Sequence, residues 1–412
     1  MCILCVNTEE KMEKLFTSAD ILLPRVEDMK KWSVIACDQY TSEPQYWENA
    51  KEFTEGAPTT LELILPEVYL DRAEECIPQI NAKMREYLGD VLFERRDAMI
   101  YLRRTIPDGR VREGIVGKVD LEAYDYRKGS DAAIRATEET VISRIPPRVA
   151  IRKDAEIELP HIMMLYDDEE NAIADHLSAK LSDFERAYDF ELIGGAGRIE
   201  GWFIDAESAL YVSDQIESAR GGGMALCVGD GNHSLASAKA LYEQIKADIG
   251  ESAARSHPAR YALCEIVNIH SPALDFEPIH RLITDCDTSG LLGYFAENFD
   301  ENKPCHTLAY TSGGKRGEIK INKNEAGISV DPLQKLLDSY LKEVPAEIDY
   351  IHGDDSLLAL SARENAIGIY CEPISKDGLF SAVRSGGSLP RKTFSMGIAK
   401  EKRHYLEARR IK

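Results

Sequence analysis

Met224-Ala225-Leu226-Cys227-Val228-Gly229-Asp230-Gly231-Asn232-His233-Ser234-Leu235-Ala236 is the stretch on which the fold turns. Its first half is a short unbroken apolar run, the pattern of a strand covered on both faces. From about Asn232 the chain runs with helical spacing through Ser234-Leu235-Ala236-Ser237-Ala238-Lys239-Ala240-Leu241 to Gly250. A tight turn containing Gly229 and Gly231 joins the two. Strand, glycine turn and helix in that order form the building unit of an α/β protein.

The same alternation extends in both directions. Residues 98–105 and 111–121 read as paired strands around Pro107-Asp108-Gly109. Residues 131–144 have helical spacing and then meet Pro146-Pro147, which reads as a stop. A buried strand is expected at 161–167, a polar-faced helix at 169–188, a strand at 200–205 and a helix at 206–219, followed by a further strand at 261–270. Beyond about residue 290 the style changes. A hairpin is expected across Ser312-Gly313-Gly314-Lys315, then a helix (332–343), strand (348–351), helix (354–363), strand (367–371) and C-terminal helix (397–408). The fold class expected is α/β with an α+β tendency: a mixed sheet with flanking helices, divided into regions 1–290 and 291–412.

The 412 residues carry 71 Asp and Glu against 50 Lys and Arg, a formal net charge of −21. Such a surface repels phosphate backbones and anionic bilayers, so neither nucleic acid nor membrane is expected as partner, while a local basic pocket is allowed. There is no run of 18 apolar residues to cross a bilayer. The opening stretch has no basic region ahead of its apolar residues, so no secretory signal is expected and the cytoplasm is the default location. Most of the nine cysteines stand singly in apolar runs and read as buried free thiols. Cys2 and Cys5 form a C-x-x-C pair with no further ligands nearby.

The Gly231 turn is also where chemistry concentrates. Unpaired N–H groups and the helix dipole favour an anion at a helix start, and glycine lets a ligand approach the backbone. Asp230, Asn232, His233 and Ser234 surround that point and supply a carboxylate and an imidazole for proton transfer or metal ligation. The plainer alternative is that Asn232 or Ser234 caps the helix and Asp230 closes the turn. A second cluster, Cys37-Asp38-Gln39-Tyr40-Thr41-Ser42-Glu43-Pro44-Gln45-Tyr46-Trp47, follows the apolar run Val34-Ile35-Ala36, which reads as a strand end. Asp38 and Glu43 there are candidate bases or Mg²⁺ ligands and Tyr40 a stacking residue; equally, Ser42-Glu43-Pro44 starts a helix that packs Tyr46 and Trp47. Ser312-Gly313-Gly314-Lys315 lacks P-loop spacing, and Gly194-Gly195-Ala196-Gly197 is followed by strand-like residues rather than a helix.

The Asp230–Ser234 turn resembles the D-G-H-H-R motif of the bacterial family known as domain of unknown function 1015. Val119-Asp120-Leu121-Glu122-Ala123-Tyr124, Arg135-Ala136-Thr137-Glu138-Glu139-Thr140, Pro278-Ile279-His280-Arg281 and Leu389-Pro390-Arg391-Lys392-Thr393-Phe394 are similar to its other motifs, in order. Asn232, Ser234 and Thr137 depart from the family's His, Arg and His. Losing the Arg removes a bidentate phosphate contact, so positive charge must come from elsewhere, with Arg148, Arg281, Arg391 and Lys392 as candidates. The turn also resembles the phosphate-binding G-x-H-R-x-x-A helix start of the ParB/sulfiredoxin superfamily, which includes free-serine kinases.

What the resemblance implies is a ParB/sulfiredoxin-like core elaborated by N- and C-terminal segments, binding a small-molecule substrate and a nucleotide. The expected activity is a phosphotransferase acting on a small hydroxylated metabolite of the serine/phosphoserine type, with ATP or ADP as co-substrate and Mg²⁺ as cofactor. Asp230, His233, Asp38 and Glu43 would be catalytic, with Asp230 and Asp38 holding metal. Gly231, Asn232, Ser234, Arg281, Arg391 and Lys392 would bind phosphate, and Tyr40, Glu138 and His280 the substrate. A hydrolase of a phosphorylated metabolite and a non-catalytic nucleotide or metabolite sensor are the alternatives. The oligomeric state, a homodimer included, is left open.

Overall fold

The computed structural model describes residues 13–35, 40, 44–324 and 327–412. Asp38 and Glu43, together with Cys2, Cys5 and Cys37, lie outside them.

The strand Leu226–Asp230 lies inside a ten-stranded mixed sheet. It pairs in parallel with Ile134–Ala136 on one side and antiparallel with Met163–Tyr166 on the other. The sheet continues through Tyr261–Asn268, Val111–Asp120, Ile100–Thr105 and Arg198–Phe203 to an edge strand at Glu185–Glu191. Both faces are covered. Leu226 and Val228 pack towards the helices Ala206–Ser218 and Asn232–Ile249, while Cys227 packs towards Leu379, Val383 and Met396 on the other side. The period-two alternation of side chains along the strand divides them in this way. All six described cysteines are free thiols, four of them buried.

A second, antiparallel six-stranded sheet is built around Phe276–Thr284, flanked by Glu347–His352 and Ile367–Ile369, with the hairpin Cys305–Ser312 and Lys315–Asn322 beyond. The short strand Phe394–Met396 pairs with the first residues of Phe276–Thr284. The last residues then return to the first unit. Ala408 exchanges backbone hydrogen bonds with Leu22 (2.8 and 3.0 Å), and Arg409–Arg410 pairs with Ile157–Glu158.

Three expected helices are corrected. Residues 131–144 hold the strand Ile134–Ala136, because pairing on both sides outweighs the helical spacing. Pro146 and Pro147 open the helix Ile145–Lys153 instead of stopping one, since a first-turn proline gives up no helical hydrogen bond. The helix expected over 169–188 ends at Ala179, and Glu185–Glu191 is the edge strand. Phe184 and Tyr188 are buried four residues apart, a spacing that fits a helix face but equally a strand's period of two. The C-terminal stretch 397–408 is irregular apart from the single turn Ala399–Glu401. Its Arg403–Glu407 pair looks helical in sequence, but both side chains are fully buried partners of other elements.

Candidate functional site

Gly231 is the hinge of the site. Its φ of 88° is left-handed, and a Cβ there would stand 3.1 Å from the Ile162 Cα. A side chain here would be strained and would have to push Ile162 aside. The N-cap position of the helix Asn232–Ile249 is Gly231, which offers no side-chain cap, so neither Asn232 nor Ser234 is its N-cap. Asp230 does close the turn, its Oδ1 accepting the Gly231 N–H at 2.9 Å. Gly229 has a different use, since a Cβ there would run into the Met396 Sδ.

The helix start opens into a cavity of about 620 Å³. Gly231, Asn232, His233 and Ser234 line it, with Glu138, Arg391, Lys392 and Arg148. Six cationic side chains share the lining, Arg144, Arg148, Arg152, Arg391, Lys392 and Lys402, against the carboxylates of Glu138, Glu139 and Glu158. A protein of net charge −21 thus concentrates positive charge at one place. Arg152 pairs with Glu158, and Lys402 with the Asp230 Oδ2 at 3.3 Å. The Asn232 Oδ1 is buried without a hydrogen-bond partner among the described residues. His233 accepts the Val141 N–H at its Nε2 (3.2 Å), which puts a neutral imidazole's proton on Nδ1, the tautomer of a donor.

Glu138 is half-buried beside the helix start. It accepts three backbone N–H groups, from Lys392 at 3.1 Å and from Thr393 and Phe394 at 2.9 and 3.2 Å. Burial pushes its carboxyl above the usual range, outweighing those donors. Thr137 donates to the Val228 carbonyl, so the Arg135–Thr140 motif is tied to the site strand.

Other expected residues stand elsewhere. Arg281 is completely buried, and its guanidinium donates to Gln334 and to the carbonyls of Ile279, Lys392 and Arg391. It does not line the cavity. His280 is also buried and off the cavity: its Nδ1 accepts the Cys371 N–H and its Nε2 meets Asp354 at 2.9 Å. Burial lowers its pKa. Tyr40 stacks on Tyr46 with centroids 3.8 Å apart, and its carbonyl accepts from Trp47, which is buried in the helix Pro44–Thr54. Among the described residues no three His, Cys, Asp or Glu side chains converge as a metal site. Asp230, the described half of the expected metal pair, faces an ammonium.

Sequence reasoning missed Arg144, Arg152, Lys402, His161 and Tyr405, all on the cavity wall. The arginines carried a signal. Arg144, Arg148 and Arg152 recur every four residues, one face of a helix, but the reading of Pro146-Pro147 as a stop hid it. Lys402 and Tyr405 reach the cavity from a tail without periodicity and carried none.

The sequence matches, over residues 23–340, the model of a family described as "Protein of unknown function (DUF1015)". The chain belongs to this family. Four of the five DUF1015-like stretches lie within the matched residues, and Leu389–Phe394 lies beyond them. No curated protein matches the chain. Solved structures similar to this DUF1015 protein include a free serine kinase in complex with AMP, at 10% identity and a TM-score of 0.40, covering 70% of this chain and 90% of that one. A conserved hypothetical protein from Pyrococcus furiosus is 9% identical with a TM-score of 0.37, covering 70% and 92%. SbnI with C-terminal truncation from Staphylococcus aureus is 11% identical with a TM-score of 0.37, covering 69% and 82%. Likenesses this distant carry no argument about activity. Among the described residues no helix is long and apolar enough to cross a membrane.

Proposed function

We propose that the cavity binds a phosphorylated small molecule and that the protein transfers a phosphoryl group between a nucleotide, ATP or ADP, and a small hydroxyl compound, serine or phosphoserine being the first pair to try. One observation carries the reading: an uncapped helix start on a left-handed glycine opens into a cavity bearing six cations, in a protein of net charge −21. In this reading the N–H groups at Asn232–Ser234 cradle phosphate, and Arg148, Arg391 and Lys392 offset its charge. They replace the arginine that Ser234 lacks. Asp230, which is not itself among the cavity-lining residues but pairs with Lys402 there, would take the hydroxyl proton or help hold a Mg²⁺ ion brought by the nucleotide. His233 donates to the transferred group through Nδ1. Phosphoryl transfer asks chiefly for positioning and charge stabilisation, which such a set of groups supplies.

The test is incubation with Mg²⁺, ATP or ADP, and serine or phosphoserine, followed by phosphorus NMR in both directions. Transfer supports the reading, and silence from folded protein removes serine as substrate. A second reading, a non-catalytic nucleotide or metabolite sensor, is favoured by the engagement of Asp230 with Lys402 and of the His233 Nε2 with Val141. Calorimetric binding of ATP or ADP without turnover on a broader panel of hydroxy acids and sugars would select it.

A further inference from the structure

Glu138, which lines the cavity, and Arg281, which does not, are fixed to the same short turn from opposite sides. Glu138 takes the N–H groups of Lys392, Thr393 and Phe394. Arg281 takes the carbonyl of Lys392 at 2.9 Å and that of Arg391 at 3.4 Å. Donors and acceptors of one turn are thus held by two side chains of opposite charge, both charge-assisted. The turn needs holding, because Lys392 has a φ of 56°, a left-handed conformation that is unfavourable for a residue other than glycine. Thr393 closes it further through its hydroxyl to the Pro390 carbonyl at 2.7 Å.

The two holders belong to different sheets. Glu138 follows Ile134–Ala136 of the large sheet, and Arg281 lies within Phe276–Thr284 of the small one. The Arg281 guanidinium carbon also stands 4.7 Å from the Tyr350 ring centroid, and that of Arg391 stands 5.6 Å from it. The Arg391 Nε donates to the Tyr350 hydroxyl at 2.9 Å. Arg391 and Lys392 both line the cavity, whereas Arg281 does not.

We propose that Glu138 and Arg281 are positioning residues that clasp the Arg391–Phe394 turn, hold Lys392 in its left-handed conformation and so aim Arg391 and Lys392 at the bound anion. The proposal rests on the anion-binding reading above and adds how the site's charge is set in place. It predicts that the two sheets are coupled through the ligand: an anion gripped by Lys392 is held by a residue that both sheets orient.

The test is a double-mutant cycle on binding, read by calorimetry with ATP as probe. Lys392→Ala is expected to lower affinity about tenfold, the loss of one charge-assisted contact. Glu138→Ala should lower it by a similar factor and weaken its dependence on salt, as Lys392→Ala does, because the cation is no longer aimed. The double variant should bind no worse than the weaker single one, since both changes remove the same contact. Glu138→Gln, which keeps the shape and one acceptor oxygen, should recover part of the affinity and supplies the cycle should Glu138→Ala fail to fold. Arg281→Met should reproduce Glu138→Ala although Arg281 lines no part of the cavity. Additive losses, an unchanged salt dependence in the Glu138 variant, or full affinity in Lys392→Ala would overturn the proposal. Failure of the wild-type protein to bind ATP, ADP and inorganic phosphate would instead remove the anion-binding reading itself.

Discussion

The Leu226–Ser234 turn and the Lys402–Ile411 tail both build the cavity region, and they do so by opposite means. The turn is continuous in sequence and uses backbone: a buried strand, one left-handed glycine and an uncapped helix start. The tail is irregular, nearly all buried, and uses side-chain charge. Arg403 bonds to Glu265 at 2.6 Å and to Glu407 at 2.7 Å, Glu407 also accepts from Tyr188 at 2.6 Å, and Arg409 bonds to Glu158 at 2.8 Å. Regular structure satisfies its own backbone groups. A buried irregular segment must satisfy its polar groups one by one from elsewhere. The two regions meet at the Lys402–Asp230 pair.

The largest effect should come from breaking the tail's charges. Arg403→Ala leaves Glu265 and Glu407 buried without their shared cation and should cost about 3–5 kcal/mol. Urea unfolding would show it as a lower midpoint with an unchanged slope. A loss under about 1 kcal/mol would mean that apolar packing alone holds the tail and that the contrast with the turn is overdrawn.

Next is the joint between the regions. If Asp230 acts only on the transition state, Asp230→Ala should lower the kcat of phosphoryl transfer about a hundredfold with KM nearly unchanged. Lys402→Met should follow the same split if the tail's contribution is the Asp230 ion pair. A rise in KM alone would make Lys402 a binding cation instead.

The turn itself is tested by glycine. Gly231→Ala must adopt a left-handed φ and also displace Ile162, whereas Gly194→Ala, in the same left-handed region at φ 69° and ψ 19°, meets nothing within 4 Å. The second substitution should cost about 1–2 kcal/mol and the first measurably more. Equal losses in thermal unfolding would show that Ile162 yields freely.

The smallest effect is in pH. Burial, aided by Arg104, holds the tail's His404 well below its ordinary pKa, and burial also lowers His280. Each takes up its proton at a lower pH in the folded protein than in the unfolded chain, where uptake begins at about pH 6.5. The unfolded state therefore binds more protons, and stability falls as pH drops through that value. His404→Gln should flatten the fall in Tm between about pH 7 and 5. An unchanged slope would assign it to His280 and the carboxylates.

The local units were legible in the sequence. Strand Leu226–Asp230, helix Asn232–Ile249, the antiparallel pair of Ile100–Thr105 with Val111–Asp120 and the hairpin at Gly313-Gly314 all follow from apolar period and turn residues, whose physics acts within a few positions. The same reasoning marked Gly231, Arg148, Arg391 and Lys392, which share the cavity. It failed where pairing partners decide. Ile134–Ala136 has helical spacing but strand neighbours, and Arg403–Glu407 has helical spacing but buried partners at Glu265 and Tyr188.

By itself, then, the sequence determined where the chain turns from strand to helix and that an anion would find donors there, because a glycine's freedom and a helix's unpaired N–H groups are local properties. Only the tertiary structure decided which cations face that point, that His280 and Arg281 stand behind it, and that a nonperiodic tail supplies Lys402. Those depend on which distant segments share one small volume, and a side chain's role in that volume is set by the partners that desolvate, pair or orient it.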